Sequence, residues 1–273
     1  MKKNNPMALP ILRFLIIPMI LFSPVWAEKN EHKNDILYTN LIGAGIIAGW
    51  GAAFWEYGKS SPHAHNEGWF GKDTKYGGAD KLGHFYASYL LGTSLCELYK
   101  NFGYHDEDAI MYGSLSSFFL MNAMEAGDSF SAEQGFSYED FIMNTLGALS
   151  SYAFYTYPEL SKRIDLKVEY IPSFTTADVV TEYDNMKYLV AIKAEGFDFI
   201  SNPWLRYGEL QVGYYTRNYK AETTSERDRI LYLGIGINFS KIARQNGYSK
   251  TAGFLNYYQL PYTYAAIEKN LNK

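Results

Sequence analysis

The hydrophobic period of this chain changes once, near Pro158, and that change limits the folds open to it. Before it, apolar residues fill long segments that carry few charges. Residues 36–55 contain none, and 81–99, 108–126 and 138–157 are apolar around most of a helical circumference, with serine, threonine and asparagine as their main polar content. Such segments suit helices packed into a bundle. After Pro158, apolar and polar residues alternate. The pattern is clearest where Leu231, Leu233, Ile235, Ile237 and Phe239 share one face and Tyr232, Gly234, Gly236 and Asn238 the other. With "IDLKVEYIP", "MKYLVAIKAEG" and "RYGELQVGYYTRNY" this makes about four strands, expected to be antiparallel. Single-chain outer-membrane barrels begin at about eight strands, so a complete barrel is not expected. The expected fold class is α+β: a bundle of about four apolar helices over 28–160, then a small antiparallel sheet with a C-terminal extension over 161–273.

Residues 1–27 read as an export signal. Lys2, Lys3 and Arg13 supply positive charge, residues 14–22 a short apolar core, and Val25-Trp26-Ala27 a cleavage site. The mature chain is therefore expected in the periplasm or envelope membrane of a Gram-negative bacterium. The charge-free stretch 36–55 is long enough to cross a bilayer, and its glycines and alanines would let a neighbouring helix approach closely, in a membrane or in a tight soluble bundle. The single cysteine, Cys96, excludes an internal disulfide and lies within an apolar run, where a buried thiol is expected. No cysteine stands at the end of the signal to take a lipid anchor. A net charge of −4 offers no basic field, so nucleic acid is not an expected partner.

Chemistry concentrates in two places. Asp80 and His84 are four apart and share a helical face, with Lys81 beside them; a carboxylate next to an imidazole raises its basicity and fixes its tautomer. A plainer account makes Asp80 a helix cap and His84 a core histidine satisfied by it. The second cluster is "MEAGDSFSAEQGFSYEDFIMN": Glu125 and Asp128 end one helix, and Ser137 precedes another on which Asp140 and Asn144 share a face. Ser137 with Asp140 also fits an ordinary helix cap. Asn144 sits in an apolar helix, where an unpartnered amide costs about 1–3 kcal/mol, so something polar must face it. If the helices meet at one end, His84 is the candidate base or nucleophile and Lys81 the candidate holder of an anionic group. Glu125 and Asp140 would then orient His84 or bind a divalent cation, with Asp128 and Ser137 as weaker ligand contacts. No cofactor can be named. His63, His65 and Glu67 in "SPHAHNEGWF" form a weak zinc pattern. Phosphate loops, nucleophile elbows, paired-histidine zinc helices and dinucleotide fingerprints do not occur.

The blocks "ADKLGHFYASYLLG", "MEAGDSFSAEQGFSYEDFIMNTLGA" and "TEYDNMKYLVAI" resemble the YfiM-like family of predicted periplasmic proteins. The first two are similar, more distantly, to the VanZ-like membrane proteins. The resemblance implies a compact, largely helical envelope module with Asp80, Lys81, His84, Glu125, Asp140 and Asn144 as its matching polar positions. The VanZ-like grouping is suspected of acting on lipid head groups or lipid-linked intermediates. Many YfiM-like members look like lipoproteins, and this chain departs from them in lacking an anchor cysteine. Two functions follow as expectations: an envelope enzyme acting on a lipid head group or phosphate-linked lipid intermediate, or a non-catalytic envelope protein whose tyrosine-rich sheet binds a partner, a lipid or a second copy through its strand edges.

Overall fold

The computed structural model describes residues 34–174, 178–219 and 226–273; the signal expected over 1–27 lies outside them. Four long helices come first: α1 (Asp35–Phe54), α2 (Ala79–Asn101), α3 (Asp106–Asp128) and α4 (Tyr138–Thr156). All four stand within two residues of where the apolar runs place them. The short α5 (Pro158–Arg163), with proline in its first turn, ends directly on strand β1. The sheet is an antiparallel meander of β1 (Ile164–Tyr170), β2 (Met186–Lys193), β3 (Gly208–Arg217), β4 (Asp228–Ile237) and β5 (Tyr264–Asn270), in that spatial order. Between β4 and β5 lie α6 (Phe239–Gln245) and α7 (Ser249–Leu255).

Two expectations change. The sheet has five strands, not about four, because the C-terminal extension returns as β5. Phe239 does not continue the β4 row: Asn238 turns the chain into α6, its side chain accepting from the Lys241 backbone N–H at 2.9 Å.

Small residues set how closely the bundle packs. On α2, Lys81, His84, Ser88 and Gly92 form one stripe, and on α4, Asp140, Asn144, Gly147 and Ser151 form another. These stripes face each other with the helices parallel, and α3 runs antiparallel to both. A Cβ on Gly147 would lie 2.7 Å from Ser88 Cβ and against the Phe85 carbonyl. Ser117 Oγ donates to the Ser88 carbonyl at 2.7 Å, and Ser114 and Ser151 bond across α3 and α4 at 2.9 Å. Cys96 is buried beside Ser114 and donates weakly to the Ile110 carbonyl, and burial pushes its thiol up to about 11, so it packs rather than reacts. Helix α1 rests on α3 through Gly43 against Leu120 and through Asn40, whose amide donates to Ser116 Oγ at 2.8 Å. Ile36 and Ile47 pack on the bundle core, and its other flank is exposed: Leu41, Ile42 and Ile46 are each more than half accessible.

The sheet reverses the usual order of its faces. A half-buried soluble sheet hides its aliphatic row and shows its polar one. Here Asp165, Lys167, Glu169, Lys193, Glu209 and Gln211 are buried, while Leu210, Val212, Leu231, Leu233 and Ile237 are exposed, with Ile235 and Ile267 at 71% and 74%. The buried charges pair: Lys167 with Glu209 at 2.8 Å, Lys193 with Asp165 at 2.7 Å, Lys187 with Glu169 at 3.3 Å. The segment between α7 and β5 covers them, Tyr257 and Gln259 bonding to Val168 along the free edge of β1 and Gln259 accepting from Gln211 at 3.0 Å. Tyrosines join bundle to sheet. Tyr188 and Tyr183 close on Gly83 of α2, and Tyr214 Oη donates to the Gly77 carbonyl at 2.5 Å. Much of the tyrosine surplus is thus structural.

Candidate functional site

The site begins with the turn that launches α2. Tyr76, Gly77 and Gly78 take φ of 50°, 62° and 86°, a left-handed run that only glycine adopts without cost, so Tyr76 is held there by its surroundings. The turn delivers Asp80 and Lys81 into the first turn of α2, where the N-cap, Gly78, has no side chain to offer. Asp80 does not cap the helix as expected; it bonds Lys81 at 2.8 Å.

Lys81 is the centre of the cluster. Its side chain is fully buried, and its ammonium lies 2.5 Å from Glu67, 2.8 Å from Asp80 and 2.9 Å from Asp140. Burial alone would lower its pKa, but Asp80, Asp140 and Glu67 outweigh that and raise it. Glu67 balances the same way: burial opposes its charge, and Lys75 and Lys81 together hold it well below the usual carboxylate range. With every donor direction taken by a carboxylate, Lys81 holds acids in place and is not on the wall of the neighbouring cavity.

His84 sits one turn further along. Its Nδ1 lies 3.2 Å from Asn144 Oδ1. Asn144 Nδ2 donates to the Met121 carbonyl at 3.1 Å, which fixes the amide so that Oδ1 faces Ser88 and His84. A carbonyl oxygen can only accept, so His84 Nδ1 carries a proton, which in the neutral imidazole leaves the lone pair on Nε2. Nε2 points to Asp140 Oδ1, 3.8 Å away. The polar partners that Asn144 required are therefore this histidine, Ser88 and the Met121 carbonyl.

Glu125 is 1% exposed; one oxygen accepts from the Ser137 backbone N–H, and Oε2 has no hydrogen-bond partner among the described residues. Burial, then Asp140, pushes its pKa up to about 9. Ser137 is consumed by structure: its hydroxyl accepts from the Asp140 backbone N–H at 3.2 Å and donates to Glu139. Asp128 stands on the far wall, accepting from Tyr57 Oη at 2.7 Å, with its pKa raised to about 7, chiefly by burial. His84, Asp80, Asp128, Asp140, Glu67 and Lys75 all border one cavity of about 430 Å³ between bundle and sheet. Its lining also includes Leu90, Met121, Val168 and Tyr188.

The sequence reading missed Lys75, Tyr57 and Ser88 and misassigned Glu67. The alternation His63, His65, Glu67 suggested one metal loop. Instead the two histidines stay exposed near Gly135, and Glu67 turns inward to Lys81 and Lys75. The signal available was an acid in the loop that leads into the Asp80-Lys81 pair.

Asp128 supplies a pH test. Its raised pKa makes the folded state bind the proton more tightly, so this group's contribution is present below about pH 3.8 and is lost as pH rises through about 7. Asp128→Asn keeps an acceptor for Tyr57 and removes the buried charge. It is expected to be near neutral at pH 4 and to stabilise by on the order of 1–3 kcal/mol at pH 8, read by urea melts at both pH values. An equal effect at both would show that Asp128 titrates normally.

No curated protein and no solved structure matches the chain. Export to the periplasm or envelope, read from the N-terminal signal, agrees with the family match, and Cys96, mid-helix and buried, is not placed as a lipid-anchor residue would be. Residues 66–156, one third of the chain and the part that carries Glu67, Lys81, His84, Glu125, Asp140 and Asn144, match the family described as "Predicted periplasmic lipoprotein (DUF2279)".

Proposed function

We propose that this envelope protein lies against a bilayer and takes a lipid head group, or a phosphate-linked lipid intermediate, into the cavity at His84, where the imidazole acts as the base of a hydrolase or transferase. The observation that carries this reading is the mixed lining of the cavity: acids and an imidazole together with Leu90, Met121, Val168 and Tyr188. A molecule with a polar head and an apolar body matches both. Around it, the aliphatic row of the sheet and the bare flank of α1 give apolar surface suited to acyl chains. A second, nearly all-apolar cleft of about 190 Å³ between Leu82, Phe85, Leu166, Val190 and Val212 shares Tyr86 and Tyr188 with the first. Likeness of the Asp-Lys and His motif to VanZ-like proteins points the same way.

Lys81 plays a different part from the one expected of it. Neutralised by three carboxylates, it positions Asp140; Lys75, paired with Glu67 at 2.5 Å, is a cation on the cavity wall. His84 Nε2 accepts a proton from water or a hydroxyl, and Asn144 holds the ring against rotation.

A second reading has its own observation. The cluster satisfies most of its charges internally, as a device that locks helix register would, leaving a non-catalytic binding protein. Envelope lipids from a deletion strain carrying wild-type protein or His84→Ala separate the two. The enzyme reading expects a changed profile in the deletion that wild type restores and the folded variant does not. Full restoration by His84→Ala would leave the binding role.

A further inference from the structure

Two groups of acids meet in this cluster, and they are treated differently. Glu67, Asp80 and Asp140 converge on one point, which the Lys81 ammonium already occupies. His84, Glu125 and Asp140 converge on a second, their candidate donor atoms all lying within 4.8 Å of one another, with the Lys81 ammonium bordering it at Asp140 Oδ1, 2.9 Å away. Around it Glu125 Oε2 accepts no hydrogen bond from the described residues, and Glu125 is 1% exposed. A buried carboxylate oxygen without a donor is costly and calls for a cation or a proton.

We infer that His84 Nε2, Glu125 and Asp140 form a binding site for a single first-row divalent cation, of the Zn²⁺ or Mn²⁺ kind. One imidazole and two carboxylates suit such ions better than Ca²⁺, which takes six to eight oxygens. Metal-ligand bonds of about 2.1 Å put neighbouring donors about 3.0–3.5 Å apart, so the three groups need to close by less than about 2 Å. The supports are in place. Asn144 accepts from Nδ1 and leaves Nε2 free to ligate, as metal-bound histidines require. The Ser137 N–H anchors the other oxygen of Glu125, and Lys81 anchors Asp140. Asp140 and His84 border the cavity, so positions on the ion not taken by protein would face it. The ion would also correct the charge of a cavity whose wall carries more acids than cations, and so admit the phosphate of a lipid head group; in this the inference rests on the lipid substrate proposed above, and with Nε2 on the ion a water bound to the ion would take the place of the imidazole as base.

The test reads metal, not turnover. Purified full-length protein, stripped by chelator, is titrated with Zn²⁺ and with Mn²⁺, and bound ion is counted by mass spectrometry and calorimetry. One equivalent is expected. His84→Ala and Glu125→Gln should each weaken binding at least 100-fold, and Asn144→Ala, a positioning change, about tenfold. The pair His63→Ala and His65→Ala should leave it unchanged. Thermal melts report folding, and if a variant fails to fold, pulsed EPR of Mn²⁺ on the wild type must still show coupling to an imidazole nitrogen. No stoichiometric ion, unchanged affinity in folded His84→Ala, or loss in the His63/His65 pair instead would overturn the site. Binding of the ion with no lipid phenotype for His84→Ala would retain the metal site and reject the lipid function; the reverse would do the opposite.

Discussion

Lys81→Ala is expected to cost about 3–5 kcal/mol of unfolding free energy, the largest loss from any single side chain in the bundle. The argument is one of imbalance. Three carboxylates lie within 3.0 Å of one fully buried ammonium, and the alanine would leave all three facing each other in a site without water to separate them. Removing both sides should hurt less: Lys81→Met combined with Glu67→Gln and Asp140→Asn is expected to recover at least half the loss, because the penalty belongs to the unpaired charges more than to the missing attraction. Urea melts near pH 7 measure both. A loss below about 1 kcal/mol for the single variant would mean that the acids take up protons cheaply and that Lys81 organises nothing. Acid should mimic the variant. Glu67 is held below its unfolded value, so its contribution is present above about pH 4.5 and is lost as pH falls through its folded pKa.

The same residues show what a sequence exposes and what it conceals. Helix positions were legible because apolar runs of this length have few alternatives, and the Ser137 cap because its hydroxyl acts on an amide three residues away. The gathering of Asp80, Lys81, His84, Glu125, Asp140 and Asn144 was legible too: each interrupts an apolar helix near one end, and burial forces such groups together. Their division of labour was not. Whether Lys81 meets a ligand or three carboxylates depends on Glu67, which arrives from a loop whose path no periodicity encodes. Tyr57 reaches Asp128 across seventy-one residues for the same reason. In the sheet, period two announced two faces but not which one is covered. That was decided by the segment around Gln259, whose side chain meets Gln211 and whose backbone pairs with Val168. β5 was overlooked because Ala265, Ala266 and Ile267 are followed by Glu268 and Lys269, an edge strand with little alternation.

Gly147→Val is the second large effect expected, at about 2–4 kcal/mol, and it reaches the site without touching it. Any Cβ at 147 meets the Phe85 carbonyl and the Ser88 side chain, which are fixed by the body of α2, so α4 must move outward. Asp140 and Asn144 lie on the same face of α4 and would move with it, lengthening the 3.2 Å contact that holds the His84 tautomer and the 2.9 Å contact from Lys81 to Asp140. Two measurements should therefore change together: the urea midpoint falls, and the ¹⁵N shifts of His84 lose the signature of a single Nδ1–H tautomer. Gly45→Ala on α1 is the matched control. Its Cβ meets nothing within 4 Å, and alanine in an exposed helix gains up to about 1 kcal/mol over glycine, so that variant should be neutral or slightly stabilising with His84 unchanged. A Gly147→Val protein as stable as wild type, or one destabilised with its His84 signature intact, would separate packing from site, against the stripe of Asp140, Asn144, Gly147 and Ser151 as a single element that sets both.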